Sequence, residues 1–163
     1  MKGELILKKA NYIFLGVAAL ILALAVVLIL AGGPQAIMGS IKGARAVPDD
    51  LDMAETRLSY QGIFMVSYTS SIDPVPVNQI HTWTVHVETA AGQLIEQAEI
   101  TVDGGMPQHG HGLPTKPQVT QNLGEGDYLV EGLKFNMPGW WEVTFHITAN
   151  GQSDSVTFNP ILK

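Results

Sequence analysis

Residues 12–31 (YIFLGVAALILALAVVLILA) are twenty consecutive positions without a charge, and they limit what the rest of the chain can be. At 1.5 Å per residue, a helix of that length crosses a hydrocarbon core of ~30 Å. Lipid offers the backbone no hydrogen-bond partner, so a single span has to be helical. Lys2, Lys8 and Lys9 precede the run and direct the N-terminus to the cytoplasm by the positive-inside rule. The competing reading is a cleaved signal peptide, with Pro34-Gln35-Ala36 or Ala44-Arg45-Ala46 as the small-residue site. A signal core is shorter, about 7–15 residues, so an uncleaved transmembrane anchor is expected. Residues 1–11 are then cytoplasmic, 12–31 the transmembrane helix, 32–55 a linker and 56–163 a domain on the far side. In bacterial terms that is a single-pass inner-membrane protein with a periplasmic C-terminal domain.

Charge divides near the same place. Residues 1–45 carry five basic side chains against Glu4, a balance of 5 − 1 = +4. Residues 46–163 carry four basic and fourteen acidic side chains, a balance of 4 − 14 = −10. An acidic domain of this kind repels nucleic acid and tolerates cations or basic partners. There are no cysteines, which excludes disulfides, thiolate metal sites and cysteine nucleophiles.

From Glu55 onward the pattern has period two and frequent turns. Residues 80–89 alternate: His81, Trp83, Val85 and Val87 share one face, with Thr82, Thr84, His86 and Glu88 opposite. Residues 58–68, 98–102, 118–123, 128–135 and 155–158 also read as strands. Trp141, Val143, Phe145 and Ile147 form one apolar face, opposite Trp140, Glu142, Thr144 and His146. Asp73-Pro74-Val75-Pro76, Ala91-Gly92-Gln93, Gly124-Glu125-Gly126-Asp127, Met137-Pro138-Gly139 and Asn150-Gly151 punctuate the strands as turns. About seven short strands at this spacing predict an all-β fold, a β-sandwich of immunoglobulin-like kind.

Residues 103–115 (DGGMPQHGHGLPT) stand apart. They hold two of the five histidines and one of the six methionines among glycines and prolines. Gly weakens a strand and Pro lacks a ladder donor, so the segment is expected to be a loop, where a rigid scaffold carries function. Met106, His109, His111 and, from a second turn, Met137 form a soft and borderline ligand set. Thioether with imidazole suits copper better than zinc, which has no thiolate here. The plainer reading is that the two histidines bond loop backbone or stack on Trp140 and Trp141, with the methionines filling gaps beneath. His81, beside Trp83, reads as a satisfied buried or rim histidine, and His86 and His146 as solvated. No nucleophile elbow, phosphate-binding loop or placed acid–base pair is present, so no enzyme is expected. No small-molecule substrate is evident either.

Three blocks in order resemble the YtkA-like domain family: residues 73–83 (DPVPVNQIHTW), 102–115 (VDGGMPQHGHGLPT) and 128–142 (YLVEGLKFNMPGWWE). The Met-Pro-x-His-Gly-His and Met-Pro-Gly-Trp-Trp motifs are the specific part. The likeness covers most of residues 58–160 and leaves out the N-terminal anchor. It implies an immunoglobulin-like sandwich related to the FixH-type membrane proteins associated with haem-copper oxidase assembly. His109 stands where those relatives commonly carry Met, so this loop is less suited to Cu(I) alone. The expected function is a non-catalytic, membrane-anchored periplasmic accessory subunit of a larger integral membrane complex, copper-containing or respiratory. Gly16, Ala18, Ala19, Ala23 and Ala25 would give its anchor a small-residue packing face. The alternative is a copper-binding metallochaperone that uses the His/Met loop in oxidase assembly.

Overall fold

A strand packed on one face buries every second side chain. The computed structural model shows this alternation strand by strand and describes residues 45–163. The expected span at residues 12–31 lies outside the described residues. Among those described, no helix is long and apolar enough to cross a membrane. The strands are β1 (Thr56–Leu58), β2 (Phe64–Ser70), β3 (His81–Thr89), β4 (Glu99–Met106), β5 (His111–Gly112) and β6 (Gln118–Gly124). They continue as β7 (Asp127–Leu133), β8 (Gly139–Trp140), β9 (Glu142–Ala149), β10 (Gln152–Phe158) and β11 (Ile161–Leu162). The described chain is all-β, as expected. Seven of these strands have seven residues or more, and the remaining four are short additions at their ends.

One antiparallel sheet runs β1-β2-β3-β7-β6-β4-β9-β10, with β5 beside β4 and a separate β8–β11 ribbon. The sheet curls until its two ends approach each other. Tyr60 N donates to Ser155 O at 2.9 Å, and the Arg57 guanidinium donates to Thr157 O, so β1 meets β10. Asp154 fastens the same corner, accepting from Gln61 N at 2.9 Å and from Ser155 N at 2.7 Å. Pairing is thinnest between β4 and β6, which share the single position Thr101↔Gln118.

Trp83, Val85 and Val87 on β3 face Val143, Phe145 and Ile147 on β9 across the core, each 0–1% exposed. Burying a side chain of this size stabilises by roughly 1.5–3 kcal/mol. Tyr68 stacks on Trp83 at 4.0 Å between centroids, and Phe145 meets Phe158 edge-on at 5.9 Å. Burial, with Glu55 nearby, pushes the Tyr68 hydroxyl up to about 12. Asn150 and Gly151 close the β9–β10 hairpin with φ of 53° and 73°, as Asn-Gly turns require.

Three expectations are corrected. Residues 58–68 are two strands, not one, because Ser59, Gln61 and Gly62 form a turn bonded back to Phe64 and Asp154. Asp103–Met106 are not loop but the end of β4, paired with β9 at Asp103↔Thr144, Gly104↔Val143 and Gly105↔Glu142. The glycines are there because the strands come too close for a side chain. A Cβ at Gly105 would sit 2.5 Å from His111 O, and one at Gly104 would collide with Glu142 O. Trp140 does not face water: it is 2% exposed, paired with Ile161 on β11 and bonded through Nε1 to Asn159 Oδ1 at 3.2 Å.

His86 also differs from a freely solvated side chain. Its Nδ1 donates to Asp127 Oδ1 at 2.6 Å and its Nε2 lies 3.2 Å from Glu88 Oε1. Half-burial alone would lower its pKa; the two carboxylates outweigh that and raise it. A raised folded-state pKa gives stability that is complete below the unfolded value of 6.5 and lost as pH rises through the folded value. His86→Gln should therefore lower the melting temperature at about pH 5.5 and change it little at about pH 9. Thermal denaturation of both proteins at the two pH values measures this, and a difference that grows with pH would contradict it.

Candidate functional site

With β4 ending at Met106, the loop shrinks to Pro107-Gln108-His109-Gly110. Its turn closes locally: His109 N and Gly110 N both donate to Met106 O, at 3.0 and 2.9 Å. Gly110 takes the positive φ of 67° that this return needs. β5 then pairs back on β4 at Met106↔His111 and Gly105↔Gly112. Leu113 N donates to Gly104 O at 3.0 Å and ends the hairpin.

This geometry brings His109 and His111 together on the outside of the hairpin tip. Their ring centroids are 6.0 Å apart with planes 25° from parallel. Two imidazoles bound to one ion have centroids no more than about 6.2 Å apart, given metal–nitrogen bonds near 2.0 Å and about 1.1 Å from nitrogen to ring centre. His111 Nδ1 lies 3.1 Å from Gly112 O. An Nδ1–H donating there leaves a lone pair on Nε2, the tautomer a metal ligand needs. The His111 ring also meets Trp141 in a T-shaped contact, with ring centroids 5.5 Å apart.

The two methionines sit differently. Met106 is 2% exposed and belongs to the core. Its Cε lies 2.5 Å from where a Cβ at Gly139 would be, so a residue larger than Gly at 139 would displace it. Met137 is half-buried against the core, and its carbonyl accepts from Trp141 Nε1 at 3.0 Å. The predicted quartet therefore lies around one end of the domain with Trp141 at its centre. The imidazoles face outward, and the Met106 side chain forms part of the packed interior. Among the described residues, no group of three or more His, Asp and Glu side chains is placed to hold a metal ion.

His81 is 4% exposed and lies among Trp83 and Phe135, with ring centroids at 6.4 and 5.6 Å. Its Nδ1 reaches Gln79 O at 3.2 Å, while its Nε2 is buried without a partner. The expectation of a fully satisfied histidine is thus half met. Burial lowers its pKa, so the neutral form is favoured. It is separated from the tip histidines by Phe135 and Trp141.

One residue at this end was not singled out from the sequence. Arg45 N donates to Pro107 O at 2.9 Å, its guanidinium pairs with Glu142 at 2.6 Å and lies 5.3 Å over the Trp140 ring. The signal was an arginine between Ala44 and Ala46 in the expected linker, and a distant Trp140-Trp141-Glu142 able to receive it.

A family model described as YtkA-like matches residues 65–146. A search of curated proteins finds no match. Among solved structures, the chain is similar to the ZirS C-terminal domain at 15% sequence identity, over 75% of this chain and 86% of that one, with a TM-score of 0.33.

Met106 packs as core, so Met106→Leu should change stability by less than about 1.5 kcal/mol, whereas Met106→Ala should cost roughly 2–5 kcal/mol. Denaturant unfolding of the two variants measures this. Equal losses would mean that the sulfur itself, and not the volume, holds this end together.

Proposed function

The chain belongs to the YtkA-like family, and from that premise we propose that it is a membrane-anchored periplasmic accessory subunit of a larger integral membrane complex. On this reading it is non-catalytic. Residues 12–31 span the inner membrane, and the curled sheet, thin between β4 and β6, corresponds to the two faces of an immunoglobulin-like sandwich. The observation that carries the proposal is the bond from Arg45 N to Pro107 O. The first described residue, Arg45, is thereby fixed beside the His109/His111 tip. On this reading a partner is met at the end of the domain where the described chain enters it, and not at the β9–β10 hairpin. β9 runs eight residues from Glu142, paired near the tip, to Ala149 at that hairpin, about 25 Å at strand rise.

The absence of native cysteine makes a direct test simple. Full-length chains bearing Gln108→Cys or Ser153→Cys are treated in native membranes with a thiol-reactive photocrosslinker. The expected result is a discrete higher-mass product from position 108 and none from position 153. Products from both positions, or a monomer from each, would overturn the reading.

A second reading is favoured by the paired imidazoles: copper held at the tip, for metal delivery in oxidase assembly. His109 and His111 would hold the ion through nitrogen. Met137, half-buried, and Met106 beneath the hairpin are the thioethers nearest in the chain. Copper would supply an electron-transfer or cargo role; the residues of the chain would bind it and keep it at the tethered end. Titrating the full-length chain in detergent with Cu(II) and with Cu(I) should show a site that weakens at least about tenfold, or 1.4 kcal/mol, in a His109→Ala/His111→Ala double variant. Equal binding by the two proteins would remove this reading and leave the accessory-subunit reading standing.

A further inference from the structure

His81 is a buried titratable group with no part in the proposed partner contact or copper binding. It opens β3 and is 4% exposed. Its Nδ1–H donates to Gln79 O at 3.2 Å, which leaves the lone pair on Nε2. That nitrogen is buried without a partner. Neutral, it forgoes one accepted hydrogen bond. Protonated, it would put a charge and an unreceived N–H inside the core, which costs far more.

The groups around the ring do not relieve this. Trp83 lies on the same face of β3, and Leu133 and Phe135 come from the β7 side. None of them titrates. Of the titratable side chains on the packed elements, Asp73 in the preceding loop and Glu131 on β7 are exposed, and Lys134 falls between buried Leu133 and Phe135. His86 and Glu88 sit on the other face of β3, and Tyr68 stacks on Trp83. Burial favours the neutral imidazole, and the Gln79 carbonyl offsets this only in part.

His81 is also one half of a clasp on Phe135. Ahead of β3, Val77 pairs with Phe135, and Asn78 N donates to Phe135 O at 2.7 Å. Asn78 turns the chain there with a φ of 61°, which Asn tolerates better than most residues. Three residues on, the imidazole lies against the Phe135 ring, with centroids 5.6 Å apart. One short segment thus holds Phe135 by main chain and by ring. Phe135 in turn meets Trp141 edge-on at 5.2 Å. Trp141 carries the rest of this end, through Nε1 to Met137 O and through its ring to His111.

We propose that His81 is an acid-sensitive latch for the tip: when Nε2 takes a proton, the ring leaves the core, the clasp on Phe135 opens, and the support beneath Trp141 and the His109/His111 hairpin loosens. Residues 78–80, just before the ring, are exposed, so opening this segment is the short way from core to water. The inference rests on the tip being the working end and adds how that end is regulated. A histidine whose folded pKa lies below 6.5 stabilises the closed form above that value, and the stability is lost as pH falls toward the folded value. His86 has the opposite sign, so loosening at low pH does not come from it.

The test uses neither metal nor partner, so its failure is distinguishable from failure of the functional reading. The full-length chain, nitrogen-15 labelled in detergent micelles, is followed by hydrogen exchange from about pH 7.5 to about pH 5. Two hydrogens are read, Asn78 N–H on Phe135 O and Trp141 Nε1–H on Met137 O, each corrected for its intrinsic rate at that pH. Protection of both should hold above pH 6.5 and fall by up to about tenfold per pH unit below it, one proton per opening. In His81→Phe the fall should vanish, while shifts that arise from His109 and His111 themselves persist. An equal fall in His81→Phe, or a fall at Asn78 with Trp141 unchanged, would overturn the proposal. Should the variant not fold, the imidazole nitrogen signals of the unaltered protein decide. A His81 that becomes protonated while both hydrogens stay protected would refute the latch.

Discussion

Three backbones converge where β4 passes between β9 and β5, at Gly104 and Gly105. Each glycine leaves room for a carbonyl that a Cβ would strike, Glu142 O on one side and His111 O on the other. With that room, β4 runs on to Met106 and the hairpin folds flat against it. The hairpin then carries His109 and His111 at its tip and lays His111 against Trp141. Trp141 in turn fixes the second turn, through Nε1 to Met137 O and its own N to Pro160 O. A side chain at either glycine would separate the tip from its aromatic floor. The glycines set where the site is without touching anything that would bind there.

The same residues explain what the sequence revealed and what it hid. Alternation in residues 80–89 and 141–147 placed Trp83, Val85, Val87, Val143, Phe145 and Ile147 inside, and all are 0–1% exposed. Such strands are legible because water contrast repeats every two residues. Gly104-Gly105 misled because a glycine pair reads as a break when only the chain's own preferences are weighed. What decides is the distance to two other strands, and that is tertiary information. Trp140 misled for a related reason. Parity put it on the outer face, and it lies there, but β11 and Arg45 cover that face at this one position.

At the candidate site, residue types were legible and depth was not. His109 and His111 are two apart, and the hairpin does bring their rings together, though around a tight turn and not along an extended strand. Met106, from sequence, could equally face the ion or the core. The pairing Met106↔His111 settles its place, because a residue at the end of a strand inherits that strand's alternation. Ile100 and Met106 are both buried and six residues apart, so they share a face with the core.

Burial of that sulfur bears on which copper state would suit the tip. Thioethers favour Cu(I), whereas imidazole accepts either state. With Met106 in the packed interior, His109, His111 and the half-buried Met137 are the members of the set left near the surface. Exposed His109 and half-buried His111 also lie in a strongly acidic domain, whose field attracts cations approaching through solvent. Arg45 opposes that field locally, but its charge is taken up by Glu142 at 2.6 Å and its guanidinium rests over Trp140. Among the described residues, the cation bonded beside the tip is thus paired with its own counter-ion.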